Sequence, residues 1–216
     1  TAGLSVIAAH GTLIEMALTQ FIINLRYSLM AISLSQRVDA SFTVPARLLL
    51  GFSITDEIFA ALERKGVRRC AVTLHVGPGT FRPVKTEDIE DHHMDFEAFT
   101  VPPETAAAIN ECKARGGRVV CVGSTTVRTL ETVANRERKD GDPLIVPGSG
   151  ASNIFIYPPY RFKVCDAMLT NFHLPQSTLL MMTSALAGRE RMLCAYALAV
   201  RANYRFFSYG DCMLIV

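Results

Sequence analysis

Leu169-Thr170-Asn171-Phe172-His173-Leu174-Pro175-Gln176-Ser177-Thr178 lies between a strand-like run, Phe162 to Met168, and an apolar helical run, Thr178 to Ala187. Ser177 is a good N-cap, and Pro175 keeps the chain extended until a helix can begin. The stretch therefore predicts strand, short loop and helix N-terminus. In α/β proteins such a junction holds ligands, because free backbone N–H groups and the helix dipole point into a crevice. Asn171 and His173 alternate along the loop and are expected to face one side. The same residues are also common turn chemistry, so the rest of the chain must decide.

Working outward, Gly123-Ser124-Thr125-Thr126 follows the short apolar run Arg118 to Val122 and opens a helix to about Arg138. The run reads as a strand covered on both faces, and the Gly-Ser-Thr-Thr turn as a cradle for an anion or polar ligand. It lacks a P-loop or dinucleotide fingerprint and names no ligand. Arg128, one turn into that helix, faces either this crevice or solvent. Upstream, Thr55-Asp56-Glu57 caps a helix stopped by Gly66. Arg69 to Val76 reads as a strand, with Cys70, Val72, Leu74 and Val76 opposite Ala71, Thr73 and His75.

Gly77-Pro78-Gly79-Thr80 is a tight turn where backbone approaches a ligand closely. Glu87 to Glu97 surrounds His92-His93 with carboxylates and reads as a solvated acidic loop without a metal-ligand spacing. A helix is expected from Pro103 to Arg115. Asp140 to Pro143 and Pro147 to Gly150 read as loops and Asn153 to Tyr157 as a strand. Two final helices are expected, divided at Gly188. From residue 55 onward helices alternate with short strands, which predicts a layered α/β domain with a largely buried sheet.

Composition sets the outer limits. The chain has 216 residues, 50% of them hydrophobic and 19% charged, which describes a soluble globular protein. A net charge of +2 does not by itself argue for nucleic acid. The six cysteines are widely spaced, mostly within apolar runs, and read as reduced core residues of a cytoplasmic protein. The apolar run Thr12 to Leu34 is interrupted by Glu15, Gln20, Asn24 and Arg26, so neither a membrane anchor nor a signal peptide is expected.

Four strings together carry a family resemblance. They are Val72 to Val84 (VTLHVGPGTFRPV), Gly123 to Glu131 (GSTTVRTLE), Asn153 to Tyr157 with Leu169 to Leu180 (LTNFHLPQSTLL), and Tyr204 to Asp211 (YRFFSYGD). They resemble the S-adenosylmethionine:tRNA ribosyltransferase-isomerases of queuosine biosynthesis, continuously over residues 55–216. The resemblance implies an α/β/α sandwich-like main domain at 55–216 and a divergent N-terminal segment, residues 1–54, packing on it. The family's inserted β-barrel-like second domain is expected to be missing ahead of Thr55. Asp95 stands where the family carries a His, and Leu50 to Thr55 replaces the family string that precedes Asp56.

The implied chemistry transfers the ribosyl group of S-adenosylmethionine to 7-aminomethyl-7-deazaguanine at the wobble position of a tRNA with a GUN anticodon. The ribose rearranges to an epoxycyclopentanediol, giving epoxyqueuosine and releasing adenine and methionine. No cofactor beyond S-adenosylmethionine, no metal and no membrane are implied, and a cytoplasmic monomer is expected. The matching strings mark Thr73, Gly77, Gly79, Thr80, Arg82, Gly123, Thr125, Thr126, Arg128, Thr170, Asn171, Ser177, Tyr209 and Asp211 as substrate-binding. Residue type adds His75, His92 and His173 as catalytic candidates, because loss of adenine needs a proton donor and deprotonation beside a sulfonium needs a base. The methionine carboxylate is expected on Gly123 to Thr126 and Arg128. The competing reading is a catalytically inactive remnant that binds S-adenosylmethionine or tRNA, and a metal-dependent hydrolase using His92-His93 stands third.

Overall fold

The computed structural model describes residues 61–77, 80, 83–134, 141–207 and 211–216. Residues 1–54, the start of the Thr55 helix, Gly79, Arg82, Tyr209 and the helix end at 135–138 lie outside the described residues. The chain divides between Arg69 and Cys70 into two units. Of the first, residues 61–64 form a helical turn that ends at Gly66, as expected.

The second unit is mixed α/β. Its strands are β1 (Thr73–Leu74), β2 (Glu97–Val101), β3 (Val120–Val122), β4 (Gly148–Ser152), β5 (Ala167–Asn171) and β6 (Cys212–Ile215). Its helices are α1 (Pro103–Ala114), α2 (Ser124–Ala134), α3 (Thr178–Ala187) and α4 (Arg189–Arg201). The strands make two three-stranded sheets, β1-β2-β4, wholly antiparallel, and β3-β5-β6, in which β3 runs parallel and β6 antiparallel to β5. Phe99 and Val101 from β2, Cys121 from β3, Met168 from β5, and Val127 and Leu130 from α2 share one buried cluster with Leu179 and Met182 from α3.

The helices expected at Pro103 to Arg115, from Thr178 to Ala187 and after Gly188 are found with their boundaries nearly intact. Pro103 sits in the first turn of α1 and Ser177 accepts a hydrogen bond from the Leu180 N–H at 3.2 Å to cap α3. Gly188 takes φ +89°, a left-handed conformation that separates α3 from α4 and that side chains disfavour.

The strands differ more from expectation, and each difference has a local cause. The strand expected over 69–76 shrinks to Thr73–Leu74, and its alternation holds only at the centre: Val72 and Leu74 are half-buried and Thr73 and His75 exposed, whereas Cys70 and Val76, expected on the apolar face, are exposed. β5 begins at Ala167, not Phe162, because the N–H groups of Lys163, Val164 and Cys165 donate to the buried carboxylate of Glu131 and not to a neighbouring strand. The strand expected at Asn153 to Tyr157 is instead Gly148–Ser152, which had read as a loop. Its small residues form a strand because β2 pairs with them from Glu97↔Ser152 to Val101↔Gly148, a tertiary contact overriding weak propensity. β3 is not covered on both faces: Cys121 is fully buried, but Val120 and Val122 are 51% and 54% exposed. Of the cysteines only Cys121 and Cys165 are buried, while Cys70, Cys194 and Cys212 are exposed. The acidic loop is exposed through Asp91, but Glu97 is not part of it, since it is 2% exposed at the start of β2.

Candidate active site

Glu97 is the correction that builds the site. Alternation along Glu97-Ala98-Phe99-Thr100-Val101 puts Glu97 on the same buried face as Phe99 and Val101. A carboxylate buried there must be paired and hydrogen-bonded. Its Oε1 accepts from the Gly77 N–H at 2.8 Å and from the Thr80 hydroxyl at 2.5 Å. Its Oε2 accepts from Nη1 of Arg128, and the two side chains are 2% and 3% exposed. The same Nη1 donates to the Thr80 hydroxyl at 2.8 Å, so Thr80 relays between the two charges. Arg128 therefore faces the interior, not solvent. Its Nε and Nη2 atoms are buried without a hydrogen-bond partner.

Arg128 lines a small cleft with Met94, Phe155, Thr178, Leu179 and Met182. Thr178 begins α3 and its hydroxyl donates to the Thr80 carbonyl at 3.4 Å. Pro83 bridges to Ser177, and the Val84 N–H donates to the Gln176 carbonyl at 2.9 Å. These bonds carry Gly77, Thr80, Pro83 and Val84 against α2 and the β5–α3 loop. Three of the four strings thus meet at one place.

On that loop His173 is 8% exposed. Its Nε2 shares a hydrogen bond with the Thr170 hydroxyl at 3.1 Å, and its backbone N–H donates to the Tyr196 hydroxyl at 2.8 Å. Burial lowers its pKa from 6.5 to about 4, so the imidazole is neutral at pH 7. Between Asn171 and His173 the Phe172 ring is held by Tyr196, Tyr204 and Phe206, with centroids 5.3–5.6 Å away.

The other expected residues are placed as follows. Thr73 in β1 and His75 just after it are both exposed, and the His75 N–H donates to the Ala98 carbonyl. His92 is half-buried with its ring edge-on to Phe155, centroids 4.9 Å apart, and Phe155 lines the cleft. Gly123 donates its N–H to the Leu169 carbonyl, Thr125 is half-buried, and the Thr126 hydroxyl donates to the Val122 carbonyl. Asn171 is half-buried opposite Cys212 in the β5–β6 ladder. Asp211 folds back on Arg205, accepting from its backbone N–H at 2.8 Å and from its guanidinium at 3.3 Å. Gly77, Thr80, Arg128 and Ser177 are thus gathered with the unexpected Glu97, while Thr73 and His75 stand outside that network. The one sequence signal for Glu97 was its place in the β2 alternation.

Among the described residues no group of three or more His, Cys, Asp or Glu side chains gathers to hold a metal ion. Nor is any described helix long and apolar enough to cross a membrane.

Residues 37–215 match the family model described as queuosine biosynthesis protein. The chain is 54% identical over 166 residues to S-adenosylmethionine:tRNA ribosyltransferase-isomerase of Moorella thermoacetica, covering 77% of this chain and 47% of that protein. The protein of the same name from Natranaerobius thermophilus is 54% identical over 165 residues, with 76% and 47% covered. The crystal structure of S-adenosylmethionine tRNA ribosyltransferase from Thermotoga maritima superposes with a TM-score of 0.59 at 42% identity, over 77% of this chain and 51% of that one. The chain spans about half the length of the curated relatives it matches. With residues 37–215 matched by the family model and curated relatives more than half identical over three quarters of the chain, the chain belongs to the queuosine biosynthesis protein family.

Proposed function

We propose that this chain carries the S-adenosylmethionine side of a tRNA ribosyltransferase-isomerase. The reaction moves the ribosyl group of S-adenosylmethionine onto 7-aminomethyl-7-deazaguanine in the anticodon of a GUN tRNA. Adenine and methionine leave, and the ribose isomerises to the epoxycyclopentanediol of epoxyqueuosine. The observation that carries this reading is the meeting of three motif strings at the Arg128–Glu97–Thr80 network beside one apolar cleft. A buried guanidinium with open donors there suits an anionic part of a substrate.

Within this reading His173, neutral because burial lowers its pKa to about 4, acts as a proton acceptor. His92, half-buried against Phe155 at the cleft, is the candidate donor to the departing purine. His75, exposed just after β1, has the weakest claim. S-adenosylmethionine is the co-substrate, the site is expected to work in a cytoplasmic monomer, and no resident metal is invoked.

The second reading, an inactive chain that retains binding, is favoured by one observation: Asp95 stands where the family resemblance calls for a His. Chromatographic detection of adenine released from S-adenosylmethionine separates the two. Release that depends on tRNA carrying the 7-aminomethyl-7-deazaguanine base supports the transferase. Folded protein that binds S-adenosylmethionine without releasing adenine supports the binding reading.

A further inference from the structure

Helix α4 turns an apolar side to solvent. Its core side is Met192, Tyr196 and Ala199, about one residue per turn, of which Met192 and Ala199 are fully buried. At about 100° per residue the opposite side carries Glu190, Leu193, Cys194, Ala197, Leu198 and Arg201, all of them exposed. Leu193 is 46% and Leu198 58% exposed, and Val200 at the border of the stripe is 62% exposed. Two leucines and a valine gathered on one helix go beyond the single apolar residues scattered over an ordinary surface. A helix anchored by one side and apolar on the other is patterned to pack twice.

The charges at the two ends say what packs on it. Glu190 and Arg201 lie in line with the stripe, in the first and last turns of α4, about 16 Å apart along the axis. Neither makes an ion pair among the described residues. Arg189 and Arg191 stand about 100° to either side of Glu190, off the stripe. A parallel second copy would set carboxylate against carboxylate and guanidinium against guanidinium. An antiparallel copy, related by a two-fold axis, sets Glu190 of each copy level with Arg201 of the other, once at each end. The same axis brings Leu193 level with Leu198 and Cys194 level with Ala197, because the members of each pair are equally far from the middle of the helix. A lipid surface fits less well, since the side of α4 opposite the stripe is packed on the core and not polar and solvated.

We propose that α4 is a homodimer contact, in which two copies of this chain pair antiparallel through Leu193, Cys194, Ala197 and Leu198 with a Glu190–Arg201 pair at each end. A single helix pair buries less than the roughly 1,200 Å² of a standard interface, so the dimer is weak, with Kd on the order of 10–100 µM. The monomer expected from the resemblance is then the dilute form. The contact stands independently of the proposed activity.

Glu190 and Arg201 also suit the dipole of their own helix, a role that does not depend on a second copy. Sedimentation velocity of the full chain from about 1 to 200 µM separates the two roles, and the wild type is expected to pass from monomer to dimer across that range. Glu190→Arg and Arg201→Glu each set like charges against each other at both ends and should weaken the dimer about tenfold. The double variant exchanges the charges and should restore wild-type association, which a dipole role alone would not do. Leu198→Lys places a cation in the apolar stripe and should leave a monomer throughout. All three positions are exposed, and far-UV circular dichroism checks that each variant keeps its helices; Ala197→Lys, on the same stripe, replaces any that does not, with the same expected loss of the dimer. A wild type that stays monomeric, a dimer untouched by these substitutions, or a double variant no better than its singles would each overturn the proposal. The first is the result expected if a different protein covers the stripe, the second if the chain pairs through another face.

Discussion

Arg128 and Glu131 stand one turn apart on α2, both buried and both charged, yet they end in opposite situations. Glu131 is enclosed: its oxygens accept from the N–H groups of Lys163, Val164 and Cys165 at 2.9–3.2 Å and from the Tyr160 hydroxyl at 3.1 Å. Arg128 is satisfied on one nitrogen and left open on two. A buried charge whose bonds all close within the protein ties one segment to another. Arg128, by contrast, keeps two buried donors unpaired, an unmet hydrogen-bonding demand. Burial is the same in both; the completeness of the hydrogen bonding is what differs.

The comparison breaks first at Glu131. Glu131→Ala strips the carboxylate from three backbone N–H groups and is expected to cost about 3–5 kcal/mol in urea unfolding. A loss below about 1 kcal/mol would mean that this collar is incidental. Next, Arg128→Met should cost about 3 kcal/mol by stranding Glu97, and adding Glu97→Gln should recover most of it. Additive losses in that double mutant would show the pair is not coupled.

A third buried group, His173, sharpens the contrast through pH. Its folded pKa is about 4 against an ordinary 6.5, so as pH falls the unfolded chain takes up the proton first. Stability is full above about pH 6.5 and drains as pH drops, by about 2 kcal/mol by pH 5, from the window in which only the unfolded histidine is charged. His173→Gln should flatten that slope, and an unchanged slope would assign it to other groups. The smallest effect belongs to Ser177→Ala, about 1 kcal/mol from loss of the α3 cap, read by the same urea unfolding.

Much of this was legible in the chain itself. Pro175 and Ser177 set the start of α3, Pro103 that of α1, and Gly188 the break between α3 and α4, because caps and φ restrictions act locally. β4 was not legible: Gly148-Ser-Gly-Ala-Ser152 has no strand propensity and is ordered by its partner β2. Glu97 was hidden by its neighbours, since five carboxylates upstream made it look like one more solvated acid. Only its two-residue phase with Phe99 and Val101 revealed the buried face. The candidate site was half visible for the same reason. Arg128 and the 170–177 loop announce themselves by residue type, but which edge of Arg128 stays open depends on a partner about thirty residues away.

The ring cluster about Phe172 makes the protein its own optical probe. The chain has no tryptophan and six tyrosines, and two of these, Tyr196 and Tyr204, stand against Phe172 between Asn171 and His173. Burial raises the Tyr196 pKa, opposed in part by the His173 N–H that its hydroxyl accepts. In an alkaline absorbance titration Tyr196 should therefore ionise after the solvent-facing tyrosines. Its ultraviolet signal is free of indole background, and it reports directly on the backbone that carries His173.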